Sequence, residues 1–203
     1  MALISYVVAR DYGFAPNPFS DFCTLATCKP EIRRLAQVGD WIVGTGSARR
    51  NRRGTIVYAM KVAEVMTFNE YWDDLRFQLK KPNLRASMKL AFGDNIYHRG
   101  NGVWLQLDSH HSFSNGSPNP WNIENDTQTD RVLIAKEYAY WGGTGPQIPD
   151  DLRNFDGHDI CIGRGYKRHF PDGMEEYFIA WFLSLHAQGC LGRPIDWGKM
   201  HRA

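Results

Sequence analysis

The sequence predicts an α+β fold with a mixed, barrel-like sheet. Three observations carry this. Short β-rich runs recur along the chain, short helical segments fall between them without regular βαβ alternation, and a longer helical pattern stands near the C-terminus. With 203 residues, 43% of them apolar, the chain has material for one substantial core. A single domain over residues 1–203 with loop elaborations is therefore expected.

Residues 3–9 (LISYVVA) predict the first strand, and Gly13, Pro16 and Pro18 then break the chain. KPEIRRLAQVGD predicts a short helix. Pro30 suits its first turn, Glu31 complements the dipole, Ile32, Leu35 and Ala36 form one apolar stripe, and Gly39 stops it. DWIVGTG (40–46) and TIVYAMKVAEV (55–65) are the next strands, joined by the arginine-bearing loop SARRNRRG. TFNEYWDD predicts a short helix with Thr67 or Asn69 near its cap. Residues 76–92 are basic and show no clear period. GVWLQL is a short strand, followed by DSHHSFSNGSPNPWN, which is dense in turn formers. RVLIAKEYAYWGG reads as one more strand, its apolar residues 132–135 suggesting burial on both faces. Residues 144–157 read as loop. In PDGMEEYFIAWFLSLHAQG, Met174, Tyr177, Phe178, Trp181, Phe182 and Leu185 recur at helical spacing. Asp172 is placed to cap that helix, with Glu175 three residues on, and Gly189 to end it.

A balance of 24 Lys+Arg against 22 Asp+Glu excludes a broadly polybasic protein, so any nucleic-acid contact must be a local patch or a pocket. Cys23, Cys28, Cys161 and Cys190 form no CxxC pair, which argues against structural zinc and a disulfide framework. The N-terminus lacks a signal-peptide pattern and no apolar run approaches a membrane span, so no membrane association and a cytoplasmic setting are expected.

The order of helix, VGDW, strand, arginine-bearing hairpin, VYAMKVAEVMTF and EYWDD resembles the PUA-like superfamily, which includes the EVE, ASCH and YTH domains. GFAPNPF, CTLATCKPEIRR, GDWIVGTGS, GDNIYH, DSHHS and RGYK together resemble the bacterial and phage family called nucleotide modification-associated domain two. This second resemblance spans nearly the whole chain. It implies a PUA-like mixed β-barrel, here with short peripheral helices and the C-terminal amphipathic helix, and an association with modified or hypermodified DNA bases. It brings no catalytic residue set with it.

Residues 93–112, GDNIYHRGNGVWLQLDSHHS, hold three of the seven histidines. Core-filling segments are not so polar, because each buried polar group needs its own partner. The expectation is a pocket for a planar polar ligand, with Asp94, Asn95, His98, Asp108, His110 and His111 supplying edge contacts. Tyr97, Trp104 and Trp121 are candidate stacking faces, and Trp41 is core or pocket wall. His98, Asp108 and one of His110 and His111 also form the donor set of a two-histidine, one-carboxylate metal site. The order Asp-x-His reverses the usual His-x-Asp, so no metal and no cofactor are expected.

Cys28, beside Lys29 near a helix start, is a candidate nucleophile, with His98 and His110 as further catalytic candidates. Two small buried cysteines beside a cap are the plainer reading. Thr24, Thr27 and Lys29 are candidate anion contacts, joined by Arg33 and Arg34 if both face the same way. GDWIVGTGS lacks phosphate-loop spacing, and Gly44 and Gly46 are expected to permit a close approach. Arg49, Arg50, Arg52 and Arg53, with Arg164 and Lys167 in RGYKRH, are candidate contacts to a nucleic-acid backbone. The favoured function is recognition of a modified DNA base or nucleotide, without conversion, in a DNA-modification or phage-defence system. The partners are then DNA or a modified nucleotide, with other DNA-modification proteins beside them. An enzyme acting on a base or nucleotide in that system is the alternative, and an RNA-binding module is a third reading.

Overall fold

The β-rich runs become the strands of three sheets in a mixed α+β chain, and none of these sheets is closed into a barrel. The computed structural model describes residues 1–199. In chain order its first elements are β1 (Leu3–Val8), β2 (Cys23–Leu25), α1 (Pro30–Leu35), β3 (Trp41–Gly46), β4 (Ile56–Lys61), β5 (Glu64–Met66) and α2 (Phe68–Asp73). There follow α3 (Met88–Ala91), β6 (Tyr97–Gly100), β7 (Val103–Gln106), α4 (Pro120–Asp126) and β8 (Val132–Ala135). The last are β9 (Tyr138–Tyr140), α5 (Asp150–Arg153), β10 (Tyr166–Lys167), α6 (Met174–Ser184) and β11 (Gly189–Cys190). No helix among them is long and apolar enough to cross a membrane.

The chain divides into two units, each assembled from separate segments. The first takes Met1–Tyr12, Ala36–Val62 and the described residues from Lys136 on; the second takes Gly13–Leu35 and Ala63–Ala135.

The first unit is built on a six-stranded sheet in the order β10-β1-β3-β4-β9-β11. β1 runs parallel to β3, and β3, β4 and β9 are antiparallel neighbours. Gly44 and Gly46 are required by close packing inside this unit. A Cβ on Gly44 would lie 2.3 Å from the Tyr58 ring, and one on Gly46 2.1 Å from the Arg52 carbonyl oxygen. The core joins Leu3, Trp41, Val43 and Ile56 to Met174, Phe178 and Phe182 of α6. Trp41 meets the Phe178 and Phe182 rings edge-on at 6.0 and 4.8 Å, so it is core and not the wall of a pocket. α6 starts from Gly173 at φ 84, in place of the expected Asp172 side-chain cap.

The second unit holds the antiparallel sheet β2-β8-β5 and the two-stranded β6-β7 hairpin. Each of the long runs 55–65 and 131–143 is thus two strands in two sheets, parted at Val62–Ala63 and at Lys136–Glu137. α2 carries a complete capping box. The Thr67 hydroxyl accepts from the Glu70 amide, and the Glu70 carboxylate accepts from the Thr67 amide.

Candidate functional site

Between the end of β2 at Leu25 and the start of α1 at Pro30 the chain makes a tight turn. Cys28 and Lys29 sit there at φ 55 and 45, in the left-handed region that non-glycine residues adopt only when their surroundings hold them. Two contacts do so. The Cys28 amide donates to Asp126 Oδ1 at 2.8 Å, and the Cys28 carbonyl accepts from Arg33 Nε at 2.9 Å. The turn leaves the Cys28 thiol half-buried. Beside it the Thr27 hydroxyl is buried and has no hydrogen-bond partner among the described residues.

Asp126 closes α4, which begins at an Asn119 cap with Pro120 in its first turn. Its carboxylate is fully buried and accepts four hydrogen bonds. Oδ1 takes the Cys28 amide and Asn125 Nδ2 at 3.1 Å; Oδ2 takes the Tyr97 hydroxyl at 3.0 Å and His111 Nδ1 at 2.8 Å. α4 also anchors the histidine, since Asn122 Nδ2 donates to the His111 carbonyl at 2.8 Å. With Nδ1–H committed to Asp126, His111 presents Nε2 to the Cys28 sulfur at 3.7 Å. The Phe14 ring, 4.6 Å from the imidazole by centroids, covers it.

Burial works against a charged imidazole, but the hydrogen bonds to Asp126 and to Cys28 outweigh it and raise His111 to about 9. At neutral pH the histidine is therefore an imidazolium directed at the sulfur. Burial lowers the neighbouring Lys29 ammonium, against the opposing charge of Cys28. Burial and the Asp126 charge push the Tyr97 phenol upward, so it stays a neutral donor to the carboxylate.

A thiol, an imidazole bridging to it and a carboxylate orienting that imidazole form the constellation of nucleophilic catalysis by cysteine. The same three side chains are also the one cluster of metal-binding donor types among the described residues. The fit to a metal is poor, because both oxygens of Asp126 already take two hydrogen bonds each and leave no lone pair for an ion.

The residues expected from the sequence are only partly brought together. Cys28, His111, Tyr97 and Lys29 meet around this site. His110 is exposed and packs edge-on against Phe14 and Phe92, while its neighbour His111 faces the thiol. His98 stacks on Trp72 at 3.8 Å, and its Nδ1 is buried with no hydrogen-bond partner among the described residues. Asp108 is exposed, and His98, Asp108 and His110 form no cluster. Thr24 and Asp94 are buried against each other, Thr24 Oγ1 donating to Asp94 Oδ2 at 2.7 Å and Tyr71 to Oδ1 at 2.8 Å. The Asn95 amide is spent on the carbonyls of Tyr71 and Phe77 at 2.9 and 3.3 Å, and its buried Oδ1 has no partner among the described residues. GDN is thus largely the frame that ties β6 to the chain after α2.

In the first unit, Arg50 pairs with buried Asp196 and Arg52 donates to the Gly145 carbonyl, so half of the arginine cluster is structural. Arg49, Arg53 and Arg164 are exposed, and Lys167 is half-buried over the Phe170 ring. A pocket of about 450 Å³ in the same unit, lined by Arg168, His169, Phe170 and Glu176 among others, contains none of the expected ligand-binding residues.

Asp126 is not legible as a site residue in the sequence, and the condition on Arg33 and Arg34, that both face the same way, is not met. NPWNIEND has a helix-start signal in Asn119 and Pro120, but nothing local marks its last aspartate as a partner of residues 28 and 111. Arg33 does not share a surface with Arg34. It is fully buried, whereas Arg34 is exposed and pairs with Glu31.

The family model described as nucleotide modification associated domain 2 matches residues 1–201 of this chain. No curated protein and no solved structure matches it.

Proposed function

The chain belongs to the nucleotide modification associated domain 2 family, and from that premise we propose that it is a thiol-dependent enzyme acting on a nucleotide or nucleobase. The observation that carries this reading is the chain of contacts from Cys28 Sγ to His111 Nε2, 3.7 Å, and from His111 Nδ1 to Asp126 Oδ2, 2.8 Å. The set of groups proposed from the sequence for recognition alone has less support. Asn95 is buried and committed to main-chain carbonyls, and Trp41 is core of the other unit.

In the proposed reaction the Cys28 thiolate adds to an electrophilic carbon of the substrate, such as an acyl carbon borne by the base or sugar. The bond to the leaving group breaks, and the His111 imidazolium delivers its proton to that group. Water or an amine then attacks the thioester, His111 takes the proton of the attacking group, and the thiolate leaves as it began. Asp126 holds the imidazole in the required tautomer throughout. Arg49, Arg53 and Arg164 are the proposed contacts to a nucleic-acid backbone, if the substrate is carried on one.

The test is to incubate the purified chain with nucleosides, nucleotides and DNA carrying modified bases, and to follow product and protein mass. A covalent adduct on Cys28 and turnover lost in Cys28→Ser are expected, with Asp126→Asn slowed by about 10²-fold or more. Binding without conversion, or turnover retained in Cys28→Ser, would restore the recognition reading.

A further inference from the structure

We infer that Arg33 is the positioning residue of the Cys28 site, clamping the turn that carries the thiol to the helix end that carries Asp126. The inference rests on the reading of Cys28 as the nucleophile and adds what prepares it.

Arg33 is fully buried, and every one of its side-chain hydrogen bonds goes to a main-chain carbonyl. Nε donates to Cys28 at 2.9 Å and Nη2 to Asp126 at 2.5 Å, while Nη1 donates to Arg131 at 2.8 Å and Thr129 at 3.3 Å. One rigid fork therefore joins the residue bearing the nucleophile to the residue that orients the base. A guanidinium suits this task, because its five donors lie in one plane and its charge is retained on burial.

Among the described residues no carboxylate hydrogen-bonds the fork. The charged groups around it are Asp126, Cys28 and Asp130, with Tyr97 beyond them. Cys28 itself faces His111, Lys29, Arg33 and Tyr97, and meets Asp126 through its amide.

The measurement is the rate of Cys28 alkylation by iodoacetamide as a function of pH, on the full chain, with the labelled site identified by mass spectrometry. Arg33→Gln should free the turn, take the thiol out of reach of the His111 imidazole and slow labelling about tenfold. Arg33→Lys, which keeps the charge but cannot span four carbonyls, should fall between the two. A wild-type profile in the folded Gln variant would reduce Arg33 to a structural residue and overturn the inference. Where only the Lys variant folds, coincidence of its profile with wild type overturns it equally. Alkylation needs no substrate, so labelling that responds to Arg33 without any turnover would sink the enzymatic reading and leave this inference standing.

Discussion

The two units bury different charges. In the first, Leu3, Trp41, Val43, Ile56, Met174, Phe178 and Phe182 make a core of hydrocarbon and aromatic surface, and the buried charged groups are the carboxylates Asp11, Asp40 and Asp196. In the second, Arg33, Lys80, Asp94 and Asp126 are all buried, and the only cations among the described buried residues are these two. Burying an ion costs several kcal/mol unless partners replace its water. The second unit meets that cost in two ways. Lys80 donates to the carbonyls of Asn17 and Phe22 and to Asn17 Oδ1, and Asp94 takes Thr24 and Tyr71, so both are closed within the frame. Arg33 and Asp126 are equally saturated, but their bonds end on the main chain of Cys28, whose thiol is half-buried, and on a half-buried imidazole. Buried charge by itself is thus no mark of a site. What distinguishes the Cys28 region is a saturated support under groups that remain reachable.

The largest expected effect tests the apolar side of this contrast. Trp41→Ala should cost about 3–5 kcal/mol in urea unfolding, the usual range for removing a buried large aromatic. Nothing titratable contacts the ring through a hydrogen bond, so the cost should be the same at pH 6 and pH 8. A strongly pH-dependent cost would break the distinction between the units.

Next in size is the pH response of the second unit. His111 has a folded value of about 9 against an ordinary 6.5, so the folded chain holds its proton more tightly than the unfolded chain. Its contribution is full below about pH 6.5 and is lost as pH rises through about 9. The difference is worth roughly 3 kcal/mol. Stability curves from pH 6 to pH 9.5 should show this fall in the wild-type chain, and His111→Ala should flatten it. An equal slope in both would remove His111 from the account.

The smallest effect concerns the exposed edge of the same unit. Thr67→Ala removes the capping box of α2 and should cost about 1 kcal/mol. Its Cys28 labelling rate should match wild type, since the hydrogen bonds of the cap run only between Thr67 and Glu70. A change in labelling would mean that the site depends on local order at α2.

The elements legible in the sequence are those fixed by neighbours a few residues apart. Leu3–Val8, the Pro30-initiated helix, the strand pair around the arginine loop, the Thr67 cap and the helix at 174–184 all follow from local pattern. Splitting of the runs at 55–65 and 131–143 was not legible, because an apolar run has the same appearance whether one sheet or two receive it. Membership in a nucleotide modification associated family was carried by motif blocks across the whole chain.

The sequence by itself determined that Cys28 sits in a turn before a helix and that histidines cluster downstream. Which histidine serves the thiol was decided by tertiary structure alone. His110 and His111 are adjacent, and one residue of phase separates an exposed ring from one bonded to Asp126. The same holds for Arg33 and Arg34 on a single helical turn, one buried under the site and the other paired with Glu31 in solvent. Residue type and local period cannot choose between such neighbours. The choice is made by contacts across 83 residues from Cys28 to His111 and 98 from Cys28 to Asp126, which exist only once the strands and α4 have closed around the carboxylate.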